Sequence, residues 1–250
     1  MYEKKTLLNK IHQELTLDIT GIDNYKIDEP TLIVANHTCM KDIFAVPAAL
    51  PEACQIVLSS RLMWKRNNPE NSLRRMIIED SLYGIPMEVH GGQERLNIGL
   101  EMAKRALLDG WSVVIFPEGA YTHDYQVNKG RTGASRILFG ARREGANVNL
   151  IPIGINNQSN ADNLDNFIPN NDSMSINIGT PINYDEYYYD YISANNPEDI
   201  KKALHAPVDI AMRSIANTIG CPYVNKYIEL RKRDTIVLES GEEVLLTCNN

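Results

Sequence analysis

The sequence predicts an α/β protein in which helices flank a mostly parallel sheet, with a C-terminal helix and hairpin as an extension. Short apolar runs of strand length, such as 31–35 and 112–116, alternate with segments of helical apolar spacing, such as 93–109. These runs are apolar at successive positions, which is typical of strands that are buried on both faces of a parallel sheet. Gly and Pro residues separate the segments and favour turns between them.

Before residue 120, apolar spacing defines each predicted element, and turn residues define its ends. Helices are predicted where apolar residues recur three or four positions apart, at 2–13, 41–50, 71–82 and 93–109. Strands are predicted from alternating or continuous apolar residues at 15–19, 31–35, 55–58, 85–89 and 112–116. Pro51 and Gly110 end two of the helices, and Gly21 closes the first strand.

After residue 120, the pattern predicts helices at 132–144 and 197–219, strands at 149–155 and 175–179, and a hairpin of 235–239 with 244–247. Residues 175–179 alternate like an edge strand, and the Asn/Asp-rich stretch 156–172 favours a loop. No internal repeat or low-complexity linker interrupts the chain. We therefore predict an α/β domain at 1–190 and a helical and hairpin extension at 191–250 that packs on the same domain.

Composition restricts the classes of partner. A net charge of −7 leaves no global basic field, so we expect no nucleic-acid partner. The four cysteines have no Cys-x-x-Cys spacing and the histidines no metal-ligand spacing, so we expect no disulfide framework and no metal. No signal-peptide pattern and no apolar run of about 18 residues is visible. We expect a cytoplasmic protein, soluble or peripheral on the inner face of a membrane.

His37 and Asp42 form the first candidate site. They follow the strand pattern 31–35 directly, and Asp42 falls in the first turn of the next predicted helix. This spacing can bring the carboxylate to one ring nitrogen of His37, which fixes the tautomer. The other nitrogen can then take a proton from a substrate hydroxyl. The alternative interpretation is a helix-capping Asp beside a packed His.

Phe116-Pro117-Glu118-Gly119 forms the second candidate site at the end of another strand. Active groups of parallel sheets lie beyond the carboxyl ends of strands, so His37 and Glu118 are predicted at the same edge. A carboxylate there can accept hydrogen bonds from substrate hydroxyls, and Gly119 permits close approach of the backbone. A surface turn after a core strand is the alternative.

Together these segments resemble the glycerolipid (lysophospholipid) acyltransferase family. Three motifs occur in the family's order: Asn36-His37 with Asp42, the 116–119 segment, and the apolar Ile151-Pro152-Ile153. The segments 19–24 and 176–182 also resemble the family, so the resemblance spans roughly residues 15–183. It implies the family's α/β fold and an O-acyltransferase of phospholipid biosynthesis or other lipid metabolism.

The resemblance also implies roles. His37 would be the general base and Asp42 its orienting partner, with acyl-CoA or acyl-carrier protein as co-substrate and no cofactor. The acceptor would be a hydroxyl of a glycerol phosphate or lysophospholipid, with Glu118 and Gly119 lining its site. Backbone amides at the start of the helix after His37 are candidates for an oxyanion site. Pro152 and Ile153 would serve as core or contact the acyl chain.

Two departures from the family concern the acceptor. Family members usually have Thr-Arg after F-P-E-G and an Arg at the end of the strand before the long helix, whereas this chain has Ala120-Tyr121 and Val89-His90. Arginine suits phosphate because its planar fork binds two oxygens. Nearby basic residues that could rebuild a phosphate site are Lys129, Arg131, His90 and Arg95. Otherwise the acceptor is a non-phosphorylated alcohol or a specialised metabolite.

Other hypotheses stay open. The chain could be a non-catalytic lipid-binding or acyl-carrier-binding protein, or a hydrolase that uses Cys39, two residues after His37, as nucleophile. Basic residues mix with Trp and apolar groups at 61–66, and further basic residues occur at 74–75 and 231–233. Such segments suit peripheral contact with anionic headgroups, although they also suit a solvated basic face.

Overall fold

The computed structural model describes residues 13–59, 83–88, 92–121, 125–157 and 172–228, and the backbone of two short strands in the tail. The strands are β1 (Leu15–Thr20), β2 (Thr31–Ala35), β3 (Cys54–Ser59), β4 (Gly84–Met87), β5 (Ser112–Ile115), β6 (Val127–Asn128), β7 (Asn149–Asn157), β8 (Asp172–Ile178), β9 (Tyr223–Val224), β10 (Thr235–Val237) and β11 (Glu243–Leu245). The helices are α1 (Asp42–Ala49), α2 (Gly92–Leu108), α3 (Gly133–Arg143), α4 (Asp185–Ser193) and α5 (Pro197–Ile219). Of the predicted helix at 2–13 only residue 13 is described, and the predicted helix at 71–82 lies outside the described residues.

The main sheet contains seven strands in the order β1-β8-β7-β2-β5-β3-β4. Every neighbouring pair is parallel except β7 and β8, which are antiparallel. The predicted α/β class with a mostly parallel sheet is confirmed. The prediction of 175–179 as an edge strand is wrong, because β1 lies outside β8. Alternation in β8 arises because Met174, Ile176 and Ile178 are buried on one face while the other face is partly open.

Strand β2 shows why the central runs are apolar throughout. Leu32 and Val34 pack into the core on the side of α2, α3 and α5, whereas Ile33 and Ala35 pack into the core on the side of α1. All four residues are fully buried. A strand covered on both faces cannot accept a polar residue, so polar groups appear only where β2 ends.

The long helix α5 and the segment after it close the structure on the α2 and α3 side. Asn196 caps α5 by accepting a hydrogen bond from the Asp199 amide (3.0 Å), and Gly220 ends it in a left-handed conformation. The helix lies so close to β7 that a Cβ on Gly154 would sit 2.5 Å from Ile219 Cγ2. The next strand, β9, then pairs in parallel with β6. The β6–β9 pair and α4 were not predicted, whereas the predicted hairpin is confirmed by β10 and β11.

Candidate active site

The two predicted site segments lie side by side at one edge of the sheet. Strands β2 and β5 are parallel neighbours, with Val34 opposite Ile115. The chain leaves both strands in the same direction, so His37 and Glu118 follow their carboxyl ends, as predicted. The parallel pairing of β2 with β5 therefore brings the two motifs together, although they lie far apart in the sequence.

His37 and Asp42 make the predicted contact. The distance from His37 Nδ1 to Asp42 Oδ2 is 2.8 Å, and the side chains are 13% and 0% exposed. Because a carboxylate only accepts hydrogen bonds, Nδ1 is assigned as the protonated nitrogen. Nε2 is then the nitrogen with a lone pair, and no hydrogen bond joins it to any residue in the described part of the chain. The imidazole is therefore arranged to accept a proton at Nε2.

Two aromatic rings hold the imidazole plane. The Phe116 ring stacks on His37 with centroids 4.4 Å apart and an interplanar angle of 21°. The Tyr121 ring meets it edge-on at 5.5 Å. Phe116 belongs to the predicted motif, but its contact with His37 was not predicted. Tyr121 occupies one of the positions where the sequence departs from the family pattern. A ring fixed at Nδ1 and on its faces loses little further freedom when it acts.

The buried carboxylate of Asp42 also organises the turn that carries His37. Its Oδ2 accepts from the Thr38 amide (2.5 Å) and the Cys39 amide (3.0 Å), and its Oδ1 accepts from Thr38 Oγ1 (2.9 Å). The N–H groups of Thr38 and Cys39 are thus directed into Asp42 and are not available to an oxyanion. The predicted oxyanion donors, the amides at the start of the helix after His37, stay a prediction.

Asn36 extends the pairing of β2 with β7 beyond their last backbone partners. Its Nδ2 donates to the Ile155 carbonyl (3.0 Å), and its Oδ1 accepts from the Ile155 amide (2.7 Å). A side-chain amide thus replaces one peptide unit of the ladder. The residue before His37 is thereby fixed to the neighbouring strand.

Glu118 does not face open solvent. It is 1% exposed, its Oε2 accepts from the His37 amide (2.8 Å), and its Oε1 accepts from the Asn128 amide (2.7 Å) and Asn128 Nδ2 (3.3 Å). Burial raises the pKa of Glu118, while the hydrogen bonds from Asn128 and His37 oppose that shift. Gly119 follows with φ of +76°, a left-handed turn that favours glycine, and is exposed.

Lys129 and Arg131 come together, but around the ring of Tyr227. Lys129 Nζ lies 5.5 Å from the ring centroid and 3.9 Å from Asp209 Oδ2. Arg131 Cζ lies 5.3 Å from the same centroid, and its Nη2 donates to the Ile228 carbonyl (3.0 Å). Lys129 thus contacts both α5 and the segment that follows it, and Arg131 contacts that segment.

The other predicted residues are more scattered. Arg95 is exposed in the first turn of α2, and His90 lies outside the described residues. Pro152 and Ile153 are buried in β7, beside Val34 and Ala35 of β2. Ile153 is fully buried in the core, so an acyl chain could contact it only after neighbouring side chains move. The assignment of these residues to acceptor or acyl binding stays a prediction.

Cys39 is a poor nucleophile in this setting. It is fully buried, and burial together with the nearby Asp42 charge raises the pKa of its thiol to about 12. Its Sγ accepts a hydrogen bond from Asn157 Nδ2 (3.2 Å). At neutral pH it remains a thiol that packs beneath the His37 turn.

Among the described residues, no group of three or more His, Cys, Asp or Glu side chains is placed to hold a metal ion. Within that same part of the chain, no helix is long and apolar enough to cross a membrane. The basic segments 61–66, 74–75 and 231–233 lie outside the described residues, so the predicted membrane contact stays a prediction.

Asn128 contacts Glu118 in the candidate site, and the sequence did not predict this contact. Asn128 lies ten residues after Glu118, in a two-residue strand whose partner β9 is almost a hundred positions away. No periodicity or motif marks such a residue, since its place depends on α5 returning the chain to β6. The sequence did give a signal for Phe116, because an aromatic residue ends the predicted strand two positions before Glu118.

The comparisons with known proteins agree with this geometry. A family model described as Acyltransferase matches residues 16–156 of the chain. The matched part includes the segments of His37, Glu118 and Pro152. No curated protein matches the chain.

Among solved structures, the chain is similar to PlsC, the 1-acyl-sn-glycerophosphate (LPA) acyltransferase from Thermotoga maritima. The identity is 17% and the TM-score 0.52, over 84% of this chain and 80% of that chain. A likeness at this identity shows a shared fold.

Proposed function

Because the chain belongs to the acyltransferase family, we propose that it transfers a fatty acyl group from a thioester to a hydroxyl of a glycerolipid-type acceptor, with His37 as general base. The donor is acyl-CoA or acyl-carrier protein, and the reaction uses no cofactor. The observation that carries the proposal is the 2.8 Å contact of His37 Nδ1 with buried Asp42, which leaves Nε2 as the basic nitrogen at the carboxyl edge of the sheet.

In the proposed reaction, Nε2 of His37 takes the proton of the acceptor hydroxyl as that oxygen attacks the thioester carbonyl. The carbon–sulfur bond then breaks, and the proton on Nε2 passes to the departing thiolate. Asp42 stabilises the imidazolium during the transfer. A positioned base contributes about 10²–10⁴-fold, so holding donor and acceptor together and stabilising the oxyanion must supply the rest.

The acceptor proposed first is a glycerol phosphate or lysophospholipid. The family and the fold shared with an LPA acyltransferase support this choice. In this proposal the turn formed by Glu118 and Gly119 shapes the acceptor site. Lys129, Arg131, His90 and Arg95 supply positive charge, and Pro152 and Ile153 contact the acyl chain once neighbouring side chains move.

A non-phosphorylated alcohol is the second candidate, and specific contacts favour it. Lys129 and Arg131 are directed to Tyr227, Asp209 and Ile228, so a phosphate would have to compete for both cations. At the base itself, the neighbour at residue 121 is the uncharged ring of Tyr121. Both features suit an acceptor whose hydroxyl approaches His37 without an accompanying phosphate.

The test is acceptor-dependent release of thiol from palmitoyl-CoA and from palmitoyl-acyl-carrier protein. The acceptors are lysophosphatidic acid, glycerol 3-phosphate and monoacylglycerol, each supplied separately to wild type and to His37→Ala. We expect His37→Ala to lower the rate about 10²–10⁴-fold with the fold retained by circular dichroism. Tyr25→Phe, a buried change at the opposite edge of the sheet, is the control for non-specific loss.

The outcomes separate the hypotheses. A preference for monoacylglycerol supports the non-phosphorylated acceptor, and a preference for lysophosphatidic acid or glycerol 3-phosphate supports the phosphorylated one. A His37→Ala variant that keeps most of the activity would show that the base is assigned wrongly. Absence of thiol release by wild type with every donor and acceptor would favour a non-catalytic lipid-binding or acyl-carrier-binding protein.

A further inference from the structure

We infer that Glu118 is a positioning residue, whose buried carboxylate holds the backbone of His37 so that the imidazole stays in line with Asp42. The resemblance to the family expects this glutamate to line the acceptor site. Its contacts support another role in the same reaction, and the kinetic part of the inference rests on the proposed function.

Both carboxylate oxygens of Glu118 already accept hydrogen bonds from buried or half-buried protein groups. Oε2 accepts from the His37 amide at 2.8 Å, and Oε1 accepts from the Asn128 amide at 2.7 Å. With only 1% of the residue exposed, a substrate hydroxyl could reach the carboxylate only if the groups packed around it moved. A movement that broke one of the amide contacts would leave a buried amide without a partner, which costs about 1–3 kcal/mol.

One short segment holds His37 at two points. Glu118 binds the amide of His37, and Phe116, two residues earlier, stacks on its ring at 4.4 Å. Asp42 binds the remaining side of the ring through Nδ1. Without the Glu118 contact, the backbone of His37 would be free to shift, while the contacts of Phe116 and Asp42 with its ring would remain available. A displacement of the base of about 1 Å can lower a rate about 10²-fold.

The segment that contains Asn128 is held in place by the C-terminal part of the chain. The amides of Val127 and Lys129 donate to the carbonyls of Pro222 and Val224, each at 3.0 Å. Successive amides in a strand point in opposite directions. The amide of Asn128, which lies between those two, therefore points toward Glu118. The segment after α5 therefore positions Asn128, Asn128 positions Glu118, and Glu118 positions His37.

Only a carboxylate serves both donors. In Glu118→Gln, one oxygen can still accept an amide, but the NH₂ group meets the other amide as a second donor. Glu118→Asp keeps the charge and is one methylene shorter, so it cannot span the two amides at their present distances. Asn128→Ala removes the 3.3 Å side-chain contact and retains the 2.7 Å backbone contact.

The first readout is steady-state kinetics with palmitoyl-CoA and the acceptor that wild type prefers. We expect kcat of Glu118→Gln and Glu118→Asp to fall about 10²-fold with KM for the acceptor unchanged. Asn128→Ala should lose less. A raised acceptor KM with kcat retained would instead assign Glu118 to acceptor binding and overturn the inference.

The second readout does not need activity. Long-range ¹H–¹⁵N spectra report the tautomer of each imidazole, and the signal of His37 is assigned by its loss in His37→Ala. Wild type should show a single Nδ1-protonated form, and Glu118→Gln a mixture of tautomers. If Glu118→Gln does not fold, Glu118→Asp decides by the same spectra. An unchanged His37 signal in a folded variant overturns the inference, even if wild type proves inactive and the proposed function fails.

Discussion

At the amino ends of β2, β5 and β3, the Tyr25 hydroxyl donates to Glu52 Oε1 (2.6 Å) and lies 2.7 Å from Ser112 Oγ. At the carboxyl ends of β2 and β5, His37 meets Asp42 and Glu118. Both networks are polar, have short hydrogen bonds and are largely buried, and they occupy opposite ends of the same strands.

The networks differ in whether a polar side-chain atom is left without a hydrogen-bond partner among the described residues. Tyr25 and its partners bond mainly to one another, and burial, followed by the contact with Glu52, raises the pKa of the Tyr25 phenol, which keeps it a neutral donor. At the carboxyl edge, every partner of His37 acts on its backbone, its Nδ1 or its ring faces, while Nε2 has no partner among the described residues. A buried polar network marks a candidate reaction site when its hydrogen bonds orient a basic atom and leave that atom unused.

Among the substitutions that test this difference between the two networks, Asp42→Asn should have the largest effect. An amide oxygen at the Oδ2 position can retain the donors, but the charge that stabilises the imidazolium is lost. We expect kcat for acyl transfer to fall about 10²–10⁴-fold, measured by thiol release, with little change in circular dichroism. A folded variant with wild-type kcat would mean that His37 does not act as an oriented base.

The next effect concerns stability at the amino edge. Tyr25→Phe removes the hydroxyl that donates to Glu52 and contacts Ser112. We expect the free energy of unfolding to fall by about 1–3 kcal/mol in urea denaturation, because the buried Ser112 hydroxyl loses its 2.7 Å partner and half-buried Glu52 loses a donor. The kcat of the remaining folded protein should equal that of wild type. A parallel loss of kcat would show that the two ends of the strands are coupled, and it would contradict the assignment of a purely stabilising role to the Tyr25 network.

The sequence predicts which residues lie at the carboxyl ends of β2 and β5 better than it predicts the contacts that those residues make. The apolar runs of β2 and β5 and the position of His37 and Glu118 after them follow from local pattern, because strands buried on both faces exclude polar residues except at their ends. The direction of the Glu118 carboxylate does not follow, since it depends on the distant pairing of β6 with β9. For the same reason, Lys129 and Arg131 could be placed near the site by sequence but not assigned to Tyr227.

The smallest effect is a pH dependence that only the carboxyl edge should show. Burial raises the pKa of Glu118 above its ordinary value of 4.5. The folded state therefore holds this proton more tightly than the unfolded state does. The resulting stabilisation is complete below pH 4.5 and is lost as the pH rises through the raised pKa.

We therefore expect the stability of wild type, relative to Glu118→Gln, to decrease as the pH rises from about 4.5, with urea denaturation at successive pH values as the measurement. Tyr25→Phe provides the reference, because a phenol with a raised pKa stays protonated in both the folded and the unfolded state over this range. Its difference from wild type should stay constant. A difference for Glu118→Gln that grew with pH would mean that the two amides from His37 and Asn128 outweigh burial, so that the folded state prefers the charged carboxylate.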